Sequence, residues 1–331
     1  MKIAVTSSSP AAKRGTTNEE AYRLYLQGMY LYEKRNLADA RKGVEVLAQA
    51  VRLDPNYARA WAGKAHVHRA VANHGRSTNI HEEYQKSIEA INKALALDEN
   101  LADAHSALCD NKMYYEYDFA GAERECKRAI ELDLNSSLAH QIYARYLNSR
   151  GRPDEAIAEI KTASDIEPAS LYHQRVYGTC LYFARRYEEA VTQFKRVAAM
   201  DENFSSTYTF LIPTLEMQGN YSEAFEWFMK LLALQKADEE TVRAFQTAFQ
   251  TSGWQGVLRE RLKRFDQGDE AYFQGATYSA QAGNKDKAFE YLEKSYQRRE
   301  LWMANLQVDP RLDVLRDDPR FDELVRRVGL K

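Results

Sequence analysis

The feature that most constrains this chain is a repeat with a period of about 34 residues. The small or apolar residues that close successive repeats form the series Ala50, Ala94, Ala129, Ala163, Val197 and Leu231. The last three intervals in this series are equal, whereas the first is clearly longer. Such a period is typical of a unit built from a helix, a turn and a second helix, which buries its apolar side only against its neighbours. The sequence therefore predicts an array of stacked helix pairs.

The repeat that begins at Ser137 shows best what each landmark does. Ala144 and Ala156 are small at a point where two helices of a pair would cross closely. Gly151 supplies the turn between the two helices, and Pro168 ends the second one. The same landmarks return in the next two repeats as Gly178, Ala190 and Phe194, and as Gly219, Ala224 and Phe228.

These landmarks resemble the consensus of the tetratricopeptide repeat (TPR). Residues 18–28, 114–119 and 315–321 also resemble the TPR halves of bacterial multidomain regulators, in which the array follows a winged-helix, protein kinase or nucleotide cyclase region. The resemblance implies an all-α fold, an α-α superhelix of antiparallel helix pairs, that serves as a regulatory or sensing module. The effector signatures of those regulators, such as a glycine-rich phosphate loop or HRD and DFG motifs, are not found in the sequence.

The regular repeats lie within less regular flanks. We expect residues 1–17 to be a flexible tail or linker, 18–236 to form six TPR-like units and 237–266 a degenerate helix pair. Residues 267–298 are predicted to form a further unit, and 299–331 helices that cap the array. Residues 69–82, which lengthen the second unit, are polar and are predicted to form an inserted loop.

Composition argues against two classes of partner. Charged residues make up 28% of the chain and the net charge is -2. No basic excess therefore favours direct binding of nucleic acid. The apolar stretches are too short to cross a bilayer, and the first residues lack the apolar core of a signal peptide. These observations predict a cytoplasmic protein without a membrane partner.

The sequence contains histidines that could bind a metal or take part in catalysis, but their spacing does not match a known site of either kind. His66, His68, His74 and His81 lie close in sequence, yet His66 and His68 would face different sides of a helix, so we predict no metal site. No spacing matches HExxH or a catalytic triad, which predicts a protein that is not an enzyme and needs no cofactor.

The three cysteines form no CxxC pair. Cys109 and Cys126 occupy small-residue positions of one repeat, where thiols pack like small hydrophobic groups. We therefore expect a reduced core without a disulfide.

The TPR resemblance also implies where a partner would lie, because the first helix of each unit lines the concave face of such arrays. Transferring that register gives the candidate partner-binding residues Tyr22, Tyr25, Tyr32, Arg59, His66, Arg69, Asp110, Gln141, Arg145, Asn148, Tyr172, Arg175 and Tyr182. Tyrosine and arginine suit the binding of a protein or an extended peptide. Two alternatives stay open: the groove could bind a metabolite and act as a small-ligand sensor, and individual tyrosines could simply fill gaps between helices.

Overall fold

A computed structural model of the chain describes residues 14–74, 79–265 and 271–331. Most of the predicted tail, residues 1–13, and part of the predicted loop, residues 75–78, lie outside the described residues, as do residues 266–270. Within the described ranges every regular element is helical, so the prediction of an all-α fold is confirmed.

The helices follow one another with short connections. They are α1 Glu19–Glu33, α2 Leu37–Leu53, α3 Ala58–His74, α4 Ile80–Leu97, α5 Ala102–Asn111, α6 Phe119–Leu132, α7 Ser137–Ser149, α8 Pro153–Ile166, α9 Leu171–Phe183, α10 Tyr187–Met200, α11 Tyr208–Met217, α12 Tyr221–Leu234, α13 Glu239–Phe265, α14 Tyr272–Gln281, α15 Lys285–Gln297 and α16 Pro319–Val328. The backbone of α13 is not helical at Ser252 and Gly253, where the helix is kinked. A π-helical turn lies at Lys112–Glu116, and short 3-10 helices lie at Ser205–Thr207, Leu301–Asn305 and Pro310–Leu315.

The chain divides into two compact units. The first contains the residues up to Asn111 together with Glu125–Leu134, and the second contains Lys112–Arg124 and Asn135–Lys331. In the first unit consecutive helices α1 to α5 pack on one another, and in the second unit α7 to α16 do the same. The boundary falls inside α6, because the two ends of that helix contact different parts of the chain.

Left-handed turns separate the two helices of a pair. Gly151 and Gly219 occupy this turn with φ angles of 68° and 72°, a conformation that glycine adopts without steric cost. Arg185 adopts the same conformation at the equivalent turn, with φ of 63°, although it has a side chain. The short connection returns the chain antiparallel to itself, as the repeat pattern predicts.

Close crossings between paired helices explain why glycine occupies two further positions. A Cβ atom on Gly28 would lie 2.5 Å from Cγ of Leu47, and one on Gly178 would lie 2.5 Å from the ring of Phe194. Both distances are far below van der Waals contact, so α1 and α2, and likewise α9 and α10, approach one another only because these positions lack a side chain.

The expected loop at residues 69–82 is wrong for most of its length. Residues 69–74 continue α3, and residues 80–82 already belong to α4. Asn79 starts α4, since its side chain accepts a hydrogen bond from the backbone N–H of Glu82 at 3.3 Å. This is the usual role of asparagine at a helix N-cap. The additional residues therefore mainly lengthen two helices.

The expectation of a fully reduced core is also wrong. Cys109 of α5 and Cys126 of α6 form a disulfide with an S–S distance of 2.04 Å and lie in the same compact unit. Their small-residue positions place the two helices close together, and the same closeness brings the sulfur atoms within bonding distance. Cys180 is a buried free thiol.

Candidate functional site

In the first unit, the predicted binding residue Arg69 contacts two others of the set. Nε of Arg69 lies 2.9 Å from a carboxylate oxygen of Asp110, and the same guanidinium donates a hydrogen bond to the Tyr32 hydroxyl at 2.8 Å. Tyr32, Arg69 and Asp110 are almost fully buried. They come from α1, α3 and α5, so this cluster links the first helices of three successive repeats.

His66 lies beside this cluster. Its Nε2 donates to the backbone carbonyl of Asp103 at 3.2 Å, and its ring centroid lies 5.8 Å from that of Tyr32. The other ring nitrogen, Nδ1, has no hydrogen-bond partner among the described residues. Burial lowers the pKa of His66 to about 4, because the charged imidazolium would lose its hydration.

The lowered pKa predicts a pH-dependent loss of stability. The unfolded chain protonates His66 below its ordinary pKa of 6.5, whereas the folded chain resists protonation down to about pH 4. We therefore expect the contribution of His66, roughly 3 kcal/mol, to be complete above pH 6.5 and to be lost as the pH falls towards 4. Urea unfolding across this range should show a steeper dependence on pH in the wild type than in His66→Gln. Equal dependences would contradict the burial of a neutral imidazole.

A more open group of residues surrounds Arg59 in the same unit. Its guanidinium lies 3.3 Å from the Asp103 carboxylate and 5.3 Å from the centroid of the Tyr25 ring. Tyr25 packs edge-on against Tyr57 at 5.4 Å, and burial raises the pKa of the Tyr25 hydroxyl. The Arg59 side chain is 37% exposed, and Tyr22 is half-buried. This is the part of the predicted surface in the first unit that solvent still reaches.

In the second unit the predicted residues are mostly enclosed. Arg145 donates to the Tyr114 hydroxyl at 3.1 Å, and the Asn148 amide donates to Sγ of Cys180 at 3.1 Å. Gln141 is fully buried, and neither atom of its amide has a hydrogen-bond partner among the described residues. Arg175 lies over the Tyr172 ring at 4.7 Å, and both side chains are largely buried.

The C-terminal segment, defined as residues 301–315, covers these helices. Trp302 packs on Phe210 with ring centroids 5.5 Å apart, and the buried Tyr182 hydroxyl donates to the Asp309 carboxylate at 3.4 Å. Arg185 forms two hydrogen bonds with Asp313, at 2.7 Å and 2.9 Å. Inside the second unit, the chain therefore supplies its own occupant for the face on which a partner was predicted.

Apolar burial holds this segment in place. Met303, Ala304, Leu306, Leu312 and Leu315 of the C-terminal segment are all fully buried. The four larger side chains each contribute roughly 1.5 to 3 kcal/mol, so their exposure would cost on the order of 10 kcal/mol. An extended peptide could not readily displace such a segment, and changes at Tyr172, Arg175 or Tyr182 would test folding before they tested binding.

A duplicated sequence motif marks this segment but does not reveal where it packs. The motif Asp-Pro-Arg occurs twice, and each copy starts a helix whose aspartate accepts from the backbone N–H of the arginine. In the second copy Asp318 lies near the surface, whereas in the first copy Asp309 is only 1% exposed and pairs with Arg311 at 2.6 Å. The motif itself does not distinguish an aspartate at an exposed helix end from one packed against other helices.

Two kinds of feature are absent from the part of the chain that the structure describes. No helix there is both long and apolar enough to cross a membrane. In the same ranges, no group of three or more histidine, cysteine, aspartate or glutamate side chains has the arrangement of a metal site.

Comparison with known proteins gives one curated relative. No family model matches the chain. The chain is 31% identical over 105 residues to Small glutamine-rich tetratricopeptide repeat-containing protein 2 of Mycosarcoma maydis. The match covers 31% of this chain and 30% of that protein, so the chain spans less than a third of the relative's length.

Comparison with solved structures shows a shared fold. The human IFIT1 dimer with m7Gppp-AAAA has a TM-score of 0.58 at 16% identity, covering 88% of this chain and 67% of that chain. The human IFIT1 dimer with PPP-AAAA has a TM-score of 0.56 at 18% identity, covering 78% and 69%. YrrB, described as a TPR protein with an unusual peptide-binding site, is matched over 59% of this chain and 94% of its own at 18% identity, with a TM-score of only 0.38.

The fold follows from three independent observations. The sequence repeats with a period of about 34 residues. The described residues form successive helix pairs, and the curated relative contains tetratricopeptide repeats. At identities below a fifth, the solved structures add the fold and nothing about ligands. The chain has the all-helical repeat fold of the tetratricopeptide proteins.

Proposed function

We propose that the chain is a non-catalytic scaffold that binds a protein or an extended peptide on the first unit. The proposal rests on the Arg59 group, where a partly exposed guanidinium lies between the Asp103 carboxylate and the Tyr25 ring. Arginine and tyrosine are enriched at binding hot spots. Arginine can donate two hydrogen bonds to one carboxylate, and tyrosine offers a rigid aromatic surface. The regulatory or sensing role implied by the resemblance to bacterial regulators is part of this proposal.

The expected ligand follows from the charges at this place. Asp103 already balances part of the Arg59 charge, and its own side chain is 18% exposed. A carboxylate of an incoming peptide could share the guanidinium, while Tyr22, three residues before Tyr25 in α1, would cover an apolar side chain of the peptide. An extended segment that carries an acidic residue beside an apolar one fits this surface best.

Selection from a random peptide display library against the full chain tests the proposal. We expect selected peptides to bind Arg59→Ala roughly 30-fold more weakly than the wild type, which corresponds to about 2 kcal/mol for a hot-spot arginine. Arg41→Ala serves as the control, because Arg41 is an exposed arginine on α2, the second helix of its pair. Equal affinities for all three proteins would remove the Arg59 group as the binding surface.

Three predictions from the sequence stay predictions in this scheme: the absence of direct nucleic acid binding, the absence of a membrane partner and a cytoplasmic location. The Cys109–Cys126 disulfide argues against the last of these, since disulfides persist mainly in oxidising compartments. The division of residues 18–331 into six units, a degenerate pair, a further unit and a cap is likewise retained as a proposal.

A further inference from the structure

A groove in the first unit lies apart from the Arg59 group. It runs between α2 and α4 and has α3 as its base, with a volume of about 560 Å³. One stripe of each helix lines it, and the lining residues are Val44, Ala48, Trp61, Lys64, His68, Lys86, Glu89, Ala90 and Lys93. This volume lies within the range of roughly 300 to 1,000 Å³ that is typical of small-ligand sites.

Part of the groove lining is apolar. Val44, Ala48 and Ala90 line its sides, and the half-buried Trp61 ring lies at its base. The indole N–H of Trp61 donates to the backbone carbonyl of Pro55 at 2.9 Å, which orients the ring. A flat apolar group could pack against this ring beside the Lys64 side chain.

Cationic groups line the rim. Lys86 is neutralised by Glu82 and Glu83, at 2.7 Å and 2.8 Å, whereas Lys64 and Lys93 form no ion pair among the described residues. The Lys64 ammonium lies 5.1 Å from the centroid of the Trp61 ring.

The environment of Lys64 leaves its charge poorly balanced. Burial lowers the pKa of Lys64, and the positive charges of Arg52 and Lys86 lower it further, while Glu89 opposes them. The ammonium groups of Lys64 and Lys93 thus provide positive charge beside the apolar part of the lining, and Glu89 offsets only part of it.

We propose that this groove binds a small organic anion that combines a flat apolar ring with an acidic group. The ring would pack against Trp61, and the positive charges of Lys64 and Lys93 would attract the acidic group. The proposal does not depend on the peptide-binding surface at Arg59, because the groove shares no residue with it.

Isothermal titration calorimetry of the full chain with naphthyl phosphate tests this site. We expect the double variant Lys64→Gln, Lys93→Gln to bind at least about tenfold more weakly, as for the loss of a charged hydrogen-bond donor. Lys42→Gln is the matched control, because Lys42 is an exposed lysine of α2 that does not line the groove. Its affinity should equal that of the wild type.

Two partial ligands separate the roles of ring and charge. Naphthol lacks the anion and inorganic phosphate lacks the ring, so each should bind much more weakly than naphthyl phosphate. Trp61→Phe, which keeps an aromatic ring, should retain more affinity than Trp61→Ala, with circular dichroism confirming that both variants are folded. The proposal is overturned if naphthyl phosphate fails to bind at millimolar concentration, if either partial ligand binds equally well, or if the lysine double variant binds like the wild type.

Discussion

Replacing Leu312 by alanine is expected to lower the free energy of unfolding of the second unit by about 2 to 5 kcal/mol. Leu312 is fully buried in the 3-10 helix Pro310–Leu315, which packs against α11 and α14. The substitution removes apolar contacts and leaves a cavity between elements that are far apart in sequence. Urea unfolding monitored by the fluorescence of Trp302, with the other tryptophans replaced by phenylalanine in both proteins, would measure the loss.

Val314→Ala provides the matched control for this prediction. Val314 lies two residues away in the same 3-10 helix, but 53% of it is exposed. We expect its replacement to change stability by less than about 0.5 kcal/mol. Similar effects of the two substitutions would mean that the C-terminal segment does not pack on the second unit as described, and the second unit's inner face would again be available to a partner.

Asp110→Ala is expected to destabilise the first unit by about 3 to 5 kcal/mol. The substitution leaves the Arg69 guanidinium, whose side chain is 5% exposed, buried without its carboxylate partner. The hydrogen bond to Tyr32 cannot balance a full charge. Equilibrium unfolding of the full chain, followed by circular dichroism, would detect the effect.

A double variant distinguishes the cost of an unpaired charge from the net value of the pair. In Arg69→Met, Asp110→Leu both charges are gone, so we expect the double variant to regain most of the stability that Asp110→Ala loses. Glu20→Ala, which breaks an exposed pair with Arg23, should show no measurable change. A double variant as unstable as Asp110→Ala would show that the cluster stabilises the unit through something other than paired charges.

These predictions bear on function because Arg69 and Asp110 were expected to bind a partner, and Leu312 belongs to the segment that contacts Tyr182. Arg69 bonds both Tyr32 and Asp110, which lie on two other helices, and Tyr182 bonds the C-terminal segment. The first set of contacts joins the first helices of successive repeats, whereas Tyr182 contacts a segment that is distant in sequence. Of the predicted set, Tyr22, Arg59 and Arg145 are partly exposed, and Tyr22 and Arg59 both belong to the first unit.

The sequence predicted the helices well because their signals are local. Gly28 and Gly178 indicate where two helices cross closely, and Gly151 indicates the turn at which the chain reverses. It predicted residues 69–82 poorly, because polar residues are compatible with a loop and with the exposed side of a lengthened helix alike. The disulfide was missed for a similar reason: the positions of Cys109 and Cys126 fit small packed residues whether or not their sulfur atoms are joined.

The sequence by itself determined the all-helical repeat, since a regular period of small, bulky and turn-forming residues is satisfied by stacked helix pairs. Only the tertiary structure decided which inner surfaces are open. The C-terminal segment is far from Tyr182 and Phe210 in sequence. Its leucines are buried, but their spacing along the chain does not indicate which helices they pack against. Contacts between distant segments depend on how the helix pairs are oriented, and no local pattern encodes that orientation. The groove beside Trp61 likewise exists because three helices meet there.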